Sequence, residues 1–139
     1  MNILVSACLL GLDCKYSGKN NINEKIIKLK DKYTLIPVCP EQLGGLCTPR
    51  NPAEICNGSV IDKEGNDLTD KFKKGAIETL KLAQMLDCHL AILKANSPSC
   101  GFGKIYDGTF KNVLISGMGL TAKLLHDSGI TVICDEDIV

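Results

Sequence analysis

Apolar positions along this chain gather into short runs separated by helix-like stretches. Asn2 to Ala7, Leu35-Ile36-Pro37-Val38, Leu90-Ala91-Ile92-Leu93 and Ile130 to Cys134 each read as a brief strand. Pro37 removes one backbone donor, so the second run must be short or lie where the missing donor is tolerated. Between the runs the spacing changes to that of a helix. Ile22, Ile26, Ile27 and Leu29 predict a helix within Ile22 to Leu29, with lysines on its other side. Thr69 to Leu86 carries the strongest pattern: Phe72, Ala76, Leu80 and Ala83 share one face, and Thr69 or Asp70 can cap the start. Gly119 to Ser128 predicts a shorter helix stopped by Gly129.

The intervening segments are punctuated. Glu41 to Pro52 contains Gly44-Gly45, Pro49 and Pro52 and is expected to form neither helix nor strand. Asn57-Gly58, flanked by Ile55 and Val60, predicts a small hairpin within Ala53 to Asp67. Tyr106-Asp107-Gly108-Thr109 marks another tight turn. Strands alternating with helices define the fold class as α/β: one Rossmann-like domain over residues 1–139, its mostly parallel sheet flanked by helices, plus the small hairpin insertion. In such sheets ligands bind beyond the carboxyl ends of the strands, where the strand order reverses. No internal repeat, low-complexity tract or linker interrupts the chain.

This topology gives three cysteines a common address. Cys8 in Ser6-Ala7-Cys8-Leu9-Leu10-Gly11, Cys39 in Val38-Cys39-Pro40-Glu41 and Cys100 in Ser97-Pro98-Ser99-Cys100-Gly101 each follow a predicted strand, directly or after a short loop. If the strands lie side by side, the thiols converge at one end of the sheet. Any one such cysteine is more often inert core than a ligand. Three at equivalent strand ends, each near Gly, Pro or Ser, form a candidate metal nest, because such flanks expose amides that stabilise thiolate and cluster sulfur. Cys14 is a possible fourth ligand, although its loop would have to double back to reach the same point. Cys47, Cys56, Cys88 and Cys134 belong to no constellation and read as core or surface residues.

The length and charge of the chain narrow what such a nest can be for. A chain of 139 residues buries enough surface to fold without disulfides. Its N-terminus carries no secretory signal, so the expected compartment is the reducing cytoplasm, where clustered cysteines act as ligands or catalytic thiols. No apolar run approaches the roughly 18 residues that span a bilayer. Sixteen Lys and Arg balance sixteen Asp and Glu, which removes the electrostatic case for strong non-specific nucleic-acid binding. RNA remains a conceivable partner that the charge does not indicate. The absence of Cys-x-x-Cys pairs speaks against a zinc site built from sequence-local ligands. Three thiolates on a four-iron cluster would leave one iron without a protein ligand, free to act as a Lewis acid.

Other side chains near the three cysteines carry competing roles. Glu41 lies two residues after Cys39 and can be a general acid or base in the same pocket, or simply a solvated turn residue. Ser97 and Ser99 can relay a proton or hold the turn around Pro98. Lys94 can offset negative charge or cover a sheet edge with its stem. Arg50 can bind an anion or anchor its own loop. His89 and His126 fall outside every motif, which disfavours a Cys-His nucleophilic pair. No phosphate loop or dinucleotide fingerprint is present.

Taken in order, the Cys8 motif, Cys14-Lys15-Tyr16-Ser17-Gly18, Cys39-Pro40-Glu41, Gly44-Gly45-Leu46, Pro49-Arg50, Pro52-Ala53-Glu54 and Leu93-Lys94 with the Cys100 motif resemble the thiouracil desulfidase family across essentially the whole chain. The resemblance implies a 4Fe-4S cluster held by Cys8, Cys39 and Cys100 with the fourth iron open. It implies a thiolated pyrimidine as substrate, free base or nucleotide, whose sulfur is replaced by water-derived oxygen without net electron transfer. Glu41 then activates the water, and Ser97 relays protons with Ser99 behind it. Lys15 stands where many relatives carry Arg, and Ser17 where an acidic residue is common. Longer relatives add a second domain, which residues 1–139 do not contain.

Two rival readings stay open at this point. One is a sulfur carrier or tRNA-thiolation accessory using the same cluster. The other is a non-catalytic metal-binding module, with zinc as one candidate occupant.

Overall fold

The computed structural model describes residues 1–139. In chain order its elements are β1 (Asn2–Ser6), α1 (Glu24–Ile27), β2 (Thr34–Val38), α2 (Pro40–Leu43), β3 (Ala53–Cys56), β4 (Ser59–Asp62), α3 (Thr69–Met85), β5 (Leu90–Leu93), β6 (Phe102–Tyr106), β7 (Leu114–Met118), α4 (Leu120–Asp127) and β8 (Thr131–Cys134). Short 3-10 turns follow β1, α1 and β8. The four expected strands form one fully parallel sheet in the order β2-β1-β5-β8. The chain leaves β1 for β2 on one side and later reaches β5 on the other, so the order reverses between β1 and β5. That reversal opens a crevice beyond their carboxyl ends.

Burial explains why these runs became parallel strands. Leu4, Ala91, Leu93 and Val132 pack with Ala83, Ala122 and Leu125 of α3 and α4 in one cluster. Ile3, Val5 and Ile92 point to the opposite cluster, with Leu9, Cys14 and Ile26. Both faces of the sheet are therefore dry, and the strands need apolar residues at odd and even positions alike. Pro37 pairs opposite Val5 on the edge strand β2, where its missing donor leaves no inner ladder broken. No helix is long and apolar enough to cross a membrane.

Four details differ from the sequence expectation, three of them in helices. The predicted helix within Ile22 to Leu29 is a single α turn, Glu24–Ile27, continued by a 3-10 turn over Lys28–Asp31. Only Ile26 of that segment is fully buried, and Ile22 is exposed, so the apolar stripe is too narrow to hold more helix. The start of α3 is not capped by Thr69 or Asp70: Leu68 occupies the cap position, while Thr69 Oγ1 accepts the Val60 amide at 2.9 Å. Within the punctuated segment, Pro40–Leu43 forms the one-turn helix α2, with proline in its first turn.

Packing explains why α2 exists at all. A Cβ added to Gly75 of α3 would land on the carbonyl oxygen of Pro40, and one added to Gly44 would land on that of Lys71. Two glycines let α2 and α3 touch backbone to backbone. The expected hairpin is present as β3–β4, with Asn57 and Gly58 both in the left-handed region at φ 52° and 81°, as a type I′ turn requires. A second antiparallel hairpin, β6–β7, was not expected. Its strands are joined by the longer loop 107–113 rather than a two-residue turn, so the local signal is weak.

Candidate active site

The crevice at the β1/β5 switch is a cavity of about 490 Å³, lined among others by Cys8, Cys39, Cys100, Cys14, Glu41, Ser97 and Ser99. Each of the three strand-end cysteines is held by a different local device. Cys8 lies in the 3-10 turn Ala7–Leu10, closed by Gly11 at φ 95°. Its carbonyl accepts the Asn21 amide at 2.9 Å, and its Sγ accepts from Asn21 Nδ2 at 3.4 Å. Cys39 precedes the first turn of α2, and its thiol faces the Cys14 carbonyl at 3.7 Å. Asn21 was not anticipated, since nothing in an asparagine-rich loop distinguishes a thiol partner from a turn residue.

Cys100 is fixed by the start of α4. The amides of Leu120 and Thr121 donate to the carbonyls of Pro98 and Ser99, each at 2.9 Å, and Gly119 N donates to Gly101 O at 2.7 Å. Free amides at a helix start thus satisfy the carbonyls of the Ser97–Gly101 loop. Gly101 is required there because a Cβ would sit 2.6 Å from the Ser97 carbonyl oxygen. On the inner side of the loop, Ser97 Oγ accepts the amides of Ser99 and Cys100 at 3.1 and 3.0 Å.

These hydrogen bonds fix the direction of a polar chain. Ser97 Oγ and Ser99 Oγ are 2.9 Å apart, and Ser99 Oγ lies 2.9 Å from Glu41 Oε2. A hydroxyl has one proton and two acceptor sites. Two amides fill the acceptor sites of Ser97, so its proton goes to Ser99, and Ser99 donates to the carboxylate in preference to the Cys100 sulfur at 3.7 Å. The order is Ser97, Ser99, Glu41. Ser99, rather than Ser97, touches the acid.

Arg50 anchors the other carboxylate oxygen. Its Nε donates to Glu41 Oε1 at 3.0 Å, Nη2 to the Cys14 carbonyl at 2.9 Å and Nη1 to Thr48 Oγ1 at 2.8 Å. Its side chain is only 8% exposed, so of the two roles open to it the loop-anchoring one is realised, with Glu41 included. Lys94 lines the cavity and reaches Asp135 Oδ2 at 3.7 Å. Asp135 also accepts the Ala95 amide at 2.7 Å and so ties β5 to the end of β8. His89 and His126 lie outside the cavity lining.

Cys14 does enter the same cavity. The amides of Leu12 and Gly18 turn back to the carbonyls of Ala7 and Lys15 at 3.3 and 2.9 Å, which folds the loop on itself as the spacing argument had disfavoured. Burial first, then the neighbouring Cys39 and Cys8, push its thiol up to about 12. Burial likewise raises Cys8, opposed by the Asn21 hydrogen bond, and pushes Cys100 up to about 12. Buried, mutually close thiols of this kind are neutral on their own and ionise when a cation replaces their protons.

The donor geometry discriminates between kinds of metal centre. Nowhere do three His, Cys, Asp or Glu side chains close in on one point as a single tetrahedral ion demands. Cys8, Cys39, Cys100 and Cys14 line one cavity, and soft thiols of this kind are the ligands that an iron–sulfur group takes.

Strand-end thiols, a carboxylate and a hydroxyl chain thus gather at the switch point of a doubly wound parallel sheet, the place where α/β enzymes bind their ligands. Comparison with known proteins narrows the class. The family model for 2-thiouracil desulfurase matches residues 3–137, and the chain belongs to that family. It is 43% identical over 146 aligned residues to the uncharacterized protein YbbK of Bacillus subtilis strain 168, covering 98% of this chain and 97% of YbbK. The solved structure of the 4Fe-4S-dependent thiouracil desulfidase TudS superposes with a TM-score of 0.93 at 39% identity, over 99% of this chain and 92% of TudS.

Proposed function

We propose that this protein is a thiouracil desulfidase that replaces the sulfur of a thiolated pyrimidine with oxygen from water, using a 4Fe-4S cluster held by Cys8, Cys39 and Cys100 with one iron free of protein ligands. The supporting observation is the directed chain Ser97, Ser99, Glu41, which ends in the cavity those three thiols line. A storage or carrier site has no use for a carboxylate held on both oxygens beside its metal; hydrolysis does.

A cluster bound there supplies Lewis acidity toward the soft thiocarbonyl sulfur. The protein supplies proton handling. Glu41, positioned by Arg50 and Ser99, takes a proton from the attacking water as a new C–O bond forms. Glu41 then hands that proton back through Ser99, which Ser97 holds in place, as the C–S bond breaks, so that C=S and water become C=O and hydrogen sulfide with no electron gained or lost. Lys94 at the cavity wall offsets the negative charge that develops on sulfur.

Anaerobic reconstitution followed by iron and sulfide analysis, and by sulfide release from a panel of thiolated bases and nucleotides, tests the proposal. The expected result is a four-iron cluster and sulfide release from 2-thiouracil, both lost in Cys8→Ala, Cys39→Ala and Cys100→Ala. Stoichiometric zinc without iron, or three alanine variants that retain cluster and turnover, overturns it. Thiouridine made from labelled sulfide would favour the carrier reading instead.

A further inference from the structure

The loop between β6 and β7 carries backbone strain aimed at the same cavity. Five non-glycine residues have positive φ, and Asn96, Phe110 and Asn112 among them line the cavity. Asparagine visits this region readily, but Phe110 at φ 58° does not, because its bulky Cβ substituent crowds the backbone. Such strain persists only where surrounding structure enforces it.

The enforcing group is Glu54. This side chain belongs to a residue only 8% exposed, and its Oε1 accepts the amides of Gly108 and Phe110 at 3.0 and 3.1 Å. Gly108 completes the clamp: at φ 94° it lies so close to β3 that an added Cβ would stand 2.8 Å from the Ile55 carbonyl oxygen. Loop 107–113 is thereby fastened to the β3–β4 hairpin in one geometry. The chain has no Trp, and of its three Phe and three Tyr only Tyr16, Tyr106 and Phe110 line the cavity. Tyr16 is 47% exposed with Lys15 Nζ 5.9 Å from its ring centre, and Tyr106 is held in the β6–β7 ladder. Phe110 is the one among these three whose backbone is held at positive φ, and its ring is the wholly apolar one.

We propose that Phe110 is the surface on which the pyrimidine ring of the substrate stacks, and that Glu54 is the positioning residue that holds it in its strained conformation. The inference rests on the thiolated-pyrimidine reading above and adds a specificity element to it. Stacking holds a flat ring without reading its sulfur, so substrate and the product uracil are gripped alike. Sulfur chemistry is left to the thiol side of the cavity.

The test uses cluster-loaded protein under anaerobic conditions, with isothermal titration of uracil alongside kinetics of sulfide release from 2-thiouracil. Phe110→Ala is expected to weaken uracil binding and raise KM by about tenfold, the size of one lost base-stacking contact, with kcat and iron content close to wild type. Phe110→Tyr should retain both. Glu54→Ala should reproduce the binding defect, and Glu54→Gln, which keeps an acceptor oxygen, should recover most of it. Phe110→Asn relieves the strain, so its Tm is expected at or above the wild-type value while uracil binding stays weak. Wild-type affinity in Phe110→Ala, or no uracil binding by the parent protein, overturns the inference. Phe110-dependent uracil binding without sulfide release would sink the desulfidase reading and leave this one standing; turnover with unchanged affinity in Phe110→Ala would do the reverse.

Discussion

Ser99 Oγ donates to Glu41 Oε2 across 2.9 Å although the two residues are 58 positions apart in the chain. One comes from the loop after β5 and the other from the first turn after β2, on opposite sides of β1. The contact therefore reports that the two outer walls of the switch-point crevice are correctly closed.

That bond predicts an ordered set of kinetic losses. Glu41→Gln removes the proton acceptor and is expected to lower the rate of sulfide release by about a hundredfold or more, within the usual range for a general base. Ser99→Ala should cost less, and Ser97→Ala least in rate. Cluster absorbance should survive in the Glu41 and Ser99 variants, and its loss in either would mean that these residues hold the metal centre rather than serve its chemistry.

Arg50 predicts a stability effect separate from the chemistry. Its guanidinium satisfies Glu41, Cys14 and Thr48 together, and the ion pair with Glu41 is largely buried at 8% and 17% side-chain exposure. Arg50→Met strands the carboxylate without its partner and is expected to destabilise the fold by about 3 kcal/mol in urea unfolding. Arg50→Lys should recover only part of this, because a single ammonium cannot reproduce the planar fork.

Gly75 links a helix far along the chain to the Cys39 ligand position. Its α-carbon lies against the Pro40 carbonyl, directly after Cys39. Gly75→Ala must push α2 away, at a cost of about 2–3 kcal/mol for overpacking. Reconstituted iron content should fall with it.

Acid sensitivity is expected to centre partly on Asp62. This buried carboxylate accepts the Asn66 side chain at 3.0 Å and the amides of Asn66 and Glu64 at 2.9 Å each. The Asn66 side chain, followed by those two amides, holds the carboxyl below its ordinary range. A folded-state value below the unfolded one stabilises above the unfolded value of about 4 and is lost as pH falls through the lower folded value. Urea titrations from neutral pH downward should show the parent protein converging on Asp62→Asn in acid. A gap between them that stays constant with pH would refute the assignment.

The chain's local patterns specified its elements where a physical rule acts over a few residues. Four apolar runs became four parallel strands, Asn57-Gly58 became a hairpin turn, and the Phe72–Ala83 stripe became the buried face of α3. The convergence of Cys8, Cys39 and Cys100 on one cavity also followed, because parallel strands with one strand order send their carboxyl ends to one side. What only the folded molecule decided are relations between distant segments. The β6–β7 hairpin depends on a long loop clamped by Glu54, the order Ser97, Ser99, Glu41 depends on which hydroxyl the α4-anchored loop turns toward the acid, and Asn21 and Cys14 reach the site because their loop folds back. The Glu54 clamp and the Ser99–Glu41 contact join segments more than 50 residues apart, too far for spacing to announce, while the fold-back around Cys14 closes through backbone hydrogen bonds that no side-chain pattern marks.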